Sequence, residues 1–265
     1  MTAVHAVETM PQWLLLDVPG SPQVGVTLKH SFDQARRFWL FEGTEWHAMR
    51  EQGPLLINLR TCPMLAEVCQ RDAQHWRGLL LISEASASTL LAHLRRMLTV
   101  SFGLHHRALL SYYNPHTASY FFDACDAGEL SRWLGPISQL RWFGGTWADR
   151  AFGSQGWQKL FNPGLAVDPL AVEENLSTRQ REKLQTCLLE HHTWRWCKSS
   201  GTDYSTQWSH LQEGLALGFS ERAVLDGWLW LRLQYPDALP QLPLSGATQQ
   251  ERLDSLGNRW QNQQS

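Results

Sequence analysis

The chain has 265 residues, 43% of them hydrophobic and 18% charged, with a formal net charge of -2. That length suffices for one large core or two modest ones, and two lobes are expected. A near-neutral balance with a pI near 6.6 excludes a broad electrostatic footprint for nucleic acid or an anionic membrane, since no basic stripe compensates for it.

The first residues, Met1 to Glu8, hold no basic stretch followed by an apolar one. No run approaches the roughly 20 apolar residues of a membrane span, so the expected location is the cytoplasm, without stable membrane anchoring. Five apolar runs read as strands: Trp13 to Val18, Pro54 to Leu59, Gly78 to Ile82, Ala108 to Tyr113 and Gln139 to Phe143. Helical patterns lie between them: Phe32 to Trp39 with Trp46 to Arg50, Met64 to Gln74, Ser88 to Val100, and Thr117 to Trp133 with a break near Gly128. Strands alternating with helices predict an α/β lobe over residues 10–148, with a mixed or mostly parallel sheet flanked by helices. The run Gly78 to Ile82 lacks polar alternation and reads as an interior strand. Ser86 or Ser88 then caps a helix in which Leu90, Leu91, Leu94, Met97 and Leu98 share one side, with His93, Arg95 and Arg96 on or beside the other. Asn114 and Pro115 end the next strand, because a residue before proline avoids the α region.

Residues 149–170 loosen into Gly, Asn, Pro and Asp and read as a linker or docking loop. Residues 171–265 are predicted as an all-helical lobe. Ser177 with Gln180 forms a capping box before a face of Leu184, Cys187, Leu188 and His191. Trp208, Leu211, Leu215 and Leu217 give a second face, and Ser220 caps a helix carrying Val224, Leu225, Trp228, Leu229 and Leu231. The polar tail, Gln249 to Ser265, places Leu253, Leu256 and Trp260 at helical spacing and is expected to dock weakly or fray.

Chemical motifs are sparse. The pairs His105-His106 and His191-His192 splay apart on any regular backbone, and no zinc-type spacing of Cys and His occurs, so neither metal nor other cofactor is expected. The five cysteines, at irregular positions, read as reduced and packed. Asp123, Asp126 and Glu129 read as solvated charge in a polar turn. A nucleophile elbow, a Walker loop and a dinucleotide fingerprint are all missing, so nothing nominates an enzyme. The alternatives are an α/β hydrolase or transferase with an unrecognised site, and a homo-oligomeric scaffold.

Fourteen tryptophans are the compositional outlier. Trp194 with Trp196, and Trp228 with Trp230, set indoles on more than one side of a helix, and Trp is enriched in binding hot spots. These four residues predict a partner-binding groove on or beside the helical lobe. Affinity drawn from buried apolar area implies only weak dependence on salt.

The helix His93-Leu94-Arg95-Arg96, followed by a strand ending in Tyr112-Tyr113-Asn114-Pro115-His116, resembles the domain of unknown function numbered 4123. The likeness runs from about Trp13 to Trp142. It includes the opening Trp13-Leu14-Leu15-Leu16-Asp17, the stretch Phe41 to Thr44, the strand start at Gly53 and the turn Trp133 to Ile137. The resemblance implies an adaptor chaperone of bacterial type VI secretion, which holds a toxic effector and delivers it to the spike protein VgrG. The implied partners are therefore VgrG and an effector, either PAAR-linked or bearing membrane-destined helices. The implied contact residues are His93, Arg95, Arg96, Tyr112, Tyr113, Asn114, Pro115 and His116. The chain departs from the family where Asn114 and His116 stand in place of the usual Asp and Arg, and where Ser111 takes a position often held by Arg.

Overall fold

The computed structural model describes residues 9–21, 23–101, 106–171 and 174–264; His105 and residues 1–8, which figure in the readings above, lie outside them. The chain divides into two compact units, Met1–Leu188 and Leu189–Ser265.

In the first unit β1 (Trp13–Leu16), β2 (Arg37–Trp39), β3 (Leu55–Asn58), β4 (Gly78–Ile82), β7 (Gln139–Gly144) and β8 (Gly156–Phe161) form a six-stranded sheet in the order β2-β3-β1-β4-β7-β8. Every pairing in it is antiparallel, which overturns the expected mixed or mostly parallel sheet. The cause lies in the connection through α2 (Pro63–Arg71). β3 and β4 do run in the same sense, but β1 sits between them in the opposite sense. A strand covered on both faces reads as a continuous apolar run in either direction, so the pattern is silent about orientation.

The strand Ala108 to Tyr113 also fails to join this sheet. Only β6 (Arg107–Leu109) forms there, and it pairs with β5 (Thr99–Ser101), which pairs in turn with β9 (Glu174–Asn175) in a separate three-stranded sheet. The expected helix Phe32 to Trp39 is replaced by α1 (Val24–Ser31) and the edge strand β2, and the expected linker contains β8.

Alternate strand residues serve two cores. On one face Trp13, Leu15, Leu56, Leu81 and Leu140 pack with Leu90 and Leu94 of α3 (Ala87–Arg96), Phe121 of α4 (Pro115–Phe121) and Trp133 of α5 (Ala127–Leu134). On the other, Leu14, Leu16, Leu55, Ile57 and Leu80 pack with Val24 and Leu28 of α1 and with Leu65 and Cys69 of α2. Each such leucine contributes about 1.5–3 kcal/mol by burial. Ser86 accepts from Thr89 N–H and Asp126 and Glu129 form a reciprocal capping box on α5, both local, whereas Asp123 pairs with the distant Lys183 at 2.7 Å. Ser177 and Gln180 cap each other at the start of α7 (Thr178–Ser200).

The second unit holds the end of α7 with α8 (Tyr204–Ala216), α9 (Arg222–Gln234) and α10 (Gln249–Gln264). Its core joins Leu211, Phe219, Val224, Leu225, Trp228 and Leu229 to Leu253, Leu256 and Trp260 of the tail. The tail is thus a full helix with Leu256 at 1% and Trp260 at 3% exposure, rather than a weakly docked end. The N-cap of α9 is Glu221 rather than Ser220, without a side-chain cap bond; Gln249 Oε1 instead accepts from the N–H groups of Ser220 (2.7 Å) and Glu221 (3.2 Å) just before the helix. Among the described residues no helix is long and apolar enough to cross a membrane.

Candidate functional site

The turn at Tyr113 to His116 sits where β1 and β7 end and β4 begins, which in an antiparallel sheet is one and the same end. Asn114 is the N-cap of α4, accepting from His116 N–H at 3.0 Å and Thr117 N–H at 3.4 Å, and Pro115 fills the first helical position, where a missing N–H costs nothing. The Asn114 amide also donates to Asp17 Oδ2 at 2.8 Å, joining residues 97 apart in the chain. Asp17 is 3% exposed and accepts a second bond from Gly20 N–H. Burial raises its carboxyl above the ordinary value, against the opposing pull of Arg77, Asn114 and Gly20.

His116 is likewise buried, with its ring stacked on Trp147 of α6 (Trp147–Phe152) at 4.0 Å. Nδ1 lies 2.8 Å from Gly145 C=O, and Nε2 lies 3.2 Å from Arg150 Nη1. A carbonyl only accepts and a guanidinium only donates, so the ring is held neutral with its proton on Nδ1. Gly145 reaches His116 from a backbone with φ +147°, a conformation that L side chains rarely adopt. Arg150 lies 5.5 Å over the Trp147 ring, and burial together with the like charge of Arg77 lowers its proton affinity. The result is a rigid frame of Asp17, Asn114 and His116 with Arg77, Trp147 and Arg150 half-exposed at its rim. The frame orders a turn, and the rim offers cationic and flat aromatic contact groups. Among the described residues no group of three or more His, Cys, Asp or Glu is placed to hold a metal ion.

The other sequence-derived residues fall into three settings. His93 and Arg95 are brackets: His93 Nε2 lies 2.9 Å from Trp133 C=O, which only accepts, and Arg95 donates to the carbonyls of Leu40 (3.0 Å) and Trp39 (3.2 Å). Burial lowers the His93 proton affinity, so its ring too is held neutral. Arg96, next along the helix, is exposed. Tyr112 is core, 1% exposed, with its hydroxyl donating to Leu94 C=O at 2.8 Å, and Tyr113 meets it edge-on at 5.9 Å. In the second unit Trp228 is fully buried and donates to His210 C=O at 2.6 Å. Trp230 is 55% exposed and meets Trp196 edge-on at 5.2 Å, while Trp194 is half-buried with Lys198 5.9 Å from its ring.

The strand, helix and turn built around His93 and Asn114 fall within the stretch that decides the comparison with known families. Residues 12–132 match the family described as Domain of unknown function (DUF4123). The DUF4123 match takes in β1 to β6 and most of α5, and stops short of the turn Trp133 to Ile137. Of the polar frame it contains Asp17, Arg77, Asn114 and His116; Gly145, Trp147 and Arg150 come from beyond it. No curated protein and no solved structure matches the chain. Sequence reasoning missed Asp17, Arg77 and Arg150 as members of the frame. The available signal was a charge abutting a fully apolar strand: Asp17 closes β1 and Arg77 precedes β4.

Proposed function

We propose that this chain is a non-enzymatic adaptor that binds a type VI secretion effector in the cytoplasm and loads it onto the VgrG spike. The observation that carries the reading is the DUF4123 match over residues 12–132, a family associated with effector adaptors. Large exposed apolar side chains in each unit support it: Phe152 and Phe161 in the first, and Leu188, at its end, with Trp230 in the second. Such surface is costly to leave in water and gains most by covering another apolar surface. The cargo surface to be masked is either a region beside a PAAR tip or a set of membrane-destined helices. The polar frame at the sheet end contributes orientation of the rim groups.

Co-purification of untagged effector with the tagged chain, together with effector solubility in cells lacking it, tests the proposal. The expected result is stoichiometric capture and loss of soluble effector on deletion. Turnover of a metabolite by the isolated chain, with effector solubility unchanged on deletion, overturns it.

A further inference from the structure

In the first unit a cavity of about 400 Å³ lies between α1 and the strands β1, β2 and β3. That volume falls within the roughly 300–1,000 Å³ of small-molecule sites. Leu16, Leu28 and Leu55, all 5% exposed or less, make its floor, and Trp39 of β2 forms a wall. Val26, 60% exposed, and the exposed Glu51 stand at its mouth. Exposure therefore rises from floor to mouth, and the cavity leads from solvent toward the core under α1. Gly25 lines it without a side chain, and a Cβ there would meet no heavy atom within 4 Å.

The wall also holds a guanidinium that the chain leaves incompletely satisfied. Arg37 gives Nη2 to the carbonyls of Leu28 (2.9 Å) and Phe32 (2.7 Å) at the end of α1. Its Nε is buried without a hydrogen-bond partner, and the group forms no ion pair among the described residues. Glu51, the acid in the lining, pairs instead with Arg50 at 3.6 Å. Half-buried charge is normally matched by an opposite one, so the acceptor that Arg37 lacks comes from outside the chain.

We propose that this cavity binds a single-chain carboxylate of the fatty-acid class, taken up from solution, with its head on Arg37 and its hydrocarbon chain along Leu16, Leu28 and Leu55. A carboxylate is both the acceptor and the counter-charge that Arg37 lacks. A small polar anion alone would gain nothing from the apolar floor. The depth disfavours a helical partner, whose apolar face lies along a groove rather than entering a hole. Allowing about 30 Å³ for each chain carbon, a water's share of liquid volume, the space takes roughly ten to thirteen carbons. No residue of the polar frame around Asp17 and His116 lines the cavity, so the proposal stands independently of the adaptor reading.

The test titrates the full chain with sodium decanoate below its micelle-forming concentration and follows the methyl resonances. One saturable site is expected, with shifts at Leu16, Val26 and Leu28 and none at Leu229 of the second unit. Decanol keeps the chain but not the charge, and should bind about tenfold more weakly through loss of one charge-assisted hydrogen bond. Gly25→Leu places a side chain in the cavity and should weaken decanoate by about tenfold while the thermal midpoint holds. Arg37→Met should erase the preference for decanoate over decanol; if losing its bonds to α1 unfolds that variant, the wild-type preference remains as the readout. Absence of a saturable site, equal affinity for the two probes, or decanoate binding indifferent to Gly25→Leu overturns the proposal. Co-sedimentation with phosphatidylcholine–phosphatidylglycerol vesicles that Gly25→Leu abolishes overturns it too, by making the cavity a membrane contact. Loss of effector capture in Gly25→Leu, with no decanoate site in the wild type, overturns it by making the cavity a cargo anchor.

Discussion

Replacing Asn114 by alanine removes two supports at once, and their sizes follow from what the side chain touches. The cap on α4 loses its acceptor for His116 and Thr117 N–H, worth about 1 kcal/mol. Asp17, 3% exposed, loses the amide donor at 2.8 Å, and a buried acceptor left short of a partner costs about 1–3 kcal/mol. Asn114→Ala should therefore lower the stability of the first unit by about 2–4 kcal/mol, a large share of the 5–15 kcal/mol typical of a domain. Urea unfolding followed by circular dichroism measures the loss, and amide exchange in β1 and α4 assigns it to that unit. The two contributions separate in a double-mutant cycle with Asp17→Ala. Once the carboxylate is gone, Asn114→Ala should cost only the cap, about 1 kcal/mol. The predicted coupling is thus about 1–3 kcal/mol, and strict additivity within about 0.5 kcal/mol would refute the latch between β1 and α4.

Gly135 has φ +50°, and a Cβ there would overlap the His93 ring, so Gly135→Ala should destabilise by about 2–4 kcal/mol, with His93→Ala restoring the part due to overlap; thermal unfolding of the single and double variants checks this. Trp228→Ala should cost about 3–5 kcal/mol because its side chain is fully buried, whereas Trp230→Ala, at a 55% exposed position, should keep the fold and weaken effector capture; paired melting and co-purification assays separate the two. Burial lowers the proton affinity of His93, His192 and His210, so below their ordinary value of 6.5 the folded chain binds fewer protons than the unfolded one. Stability should accordingly fall as pH drops through that region, and a flat urea midpoint between neutral pH and mild acid would contradict it.

The interior of the sheet was legible and its directions were not. β4 matches its apolar run at both ends, β1 and β3 lie within theirs, and β7 runs one residue past its own, because strands covered on two faces are mostly apolar. β8 was hidden for the opposite reason. Its inward positions are Gly156, Gln158 and Leu160 and its outward ones include Trp157 and Phe161, so the hydrophobic contrast that marks a half-buried strand is inverted. The tail helix was seen as a periodicity but undervalued, since its stability comes from Trp228 and Leu229 on α9, which local pattern does not weigh. At the site, Asn114 was readable as a turn residue from its neighbour Pro115. Its bond to Asp17 was not, because a contact spanning 97 residues leaves no mark on local spacing.

Asn114 and His116, two of the three positions at which the chain departs from the pattern that its resemblance to DUF4123 implies, lie together at the start of α4 and can be exchanged together. Where the resemblance implies Asp and Arg, this chain carries Asn114 and His116, the latter 2% exposed. Asn114→Asp alone keeps the cap but sets a carboxylate against Asp17 in place of the donor now 2.8 Å away. Burial already raises the Asp17 carboxyl above 3.8, and the added charge raises it further. The folded state then holds more protons than the unfolded one above that value, so the variant should lose stability as pH climbs and regain it on acidification. His116→Arg alone buries a new cation beside Arg150, whose guanidinium is 3.2 Å from the ring it replaces. Made together, the two substitutions place opposite charges two residues apart in the first turn of α4. The double variant should be at least about 0.5 kcal/mol more stable at neutral pH than the sum of the single losses implies, as expected for neighbouring charges of opposite sign. Urea unfolding of the four proteins at neutral and acidic pH measures this coupling, and additive losses would show that the two positions vary independently.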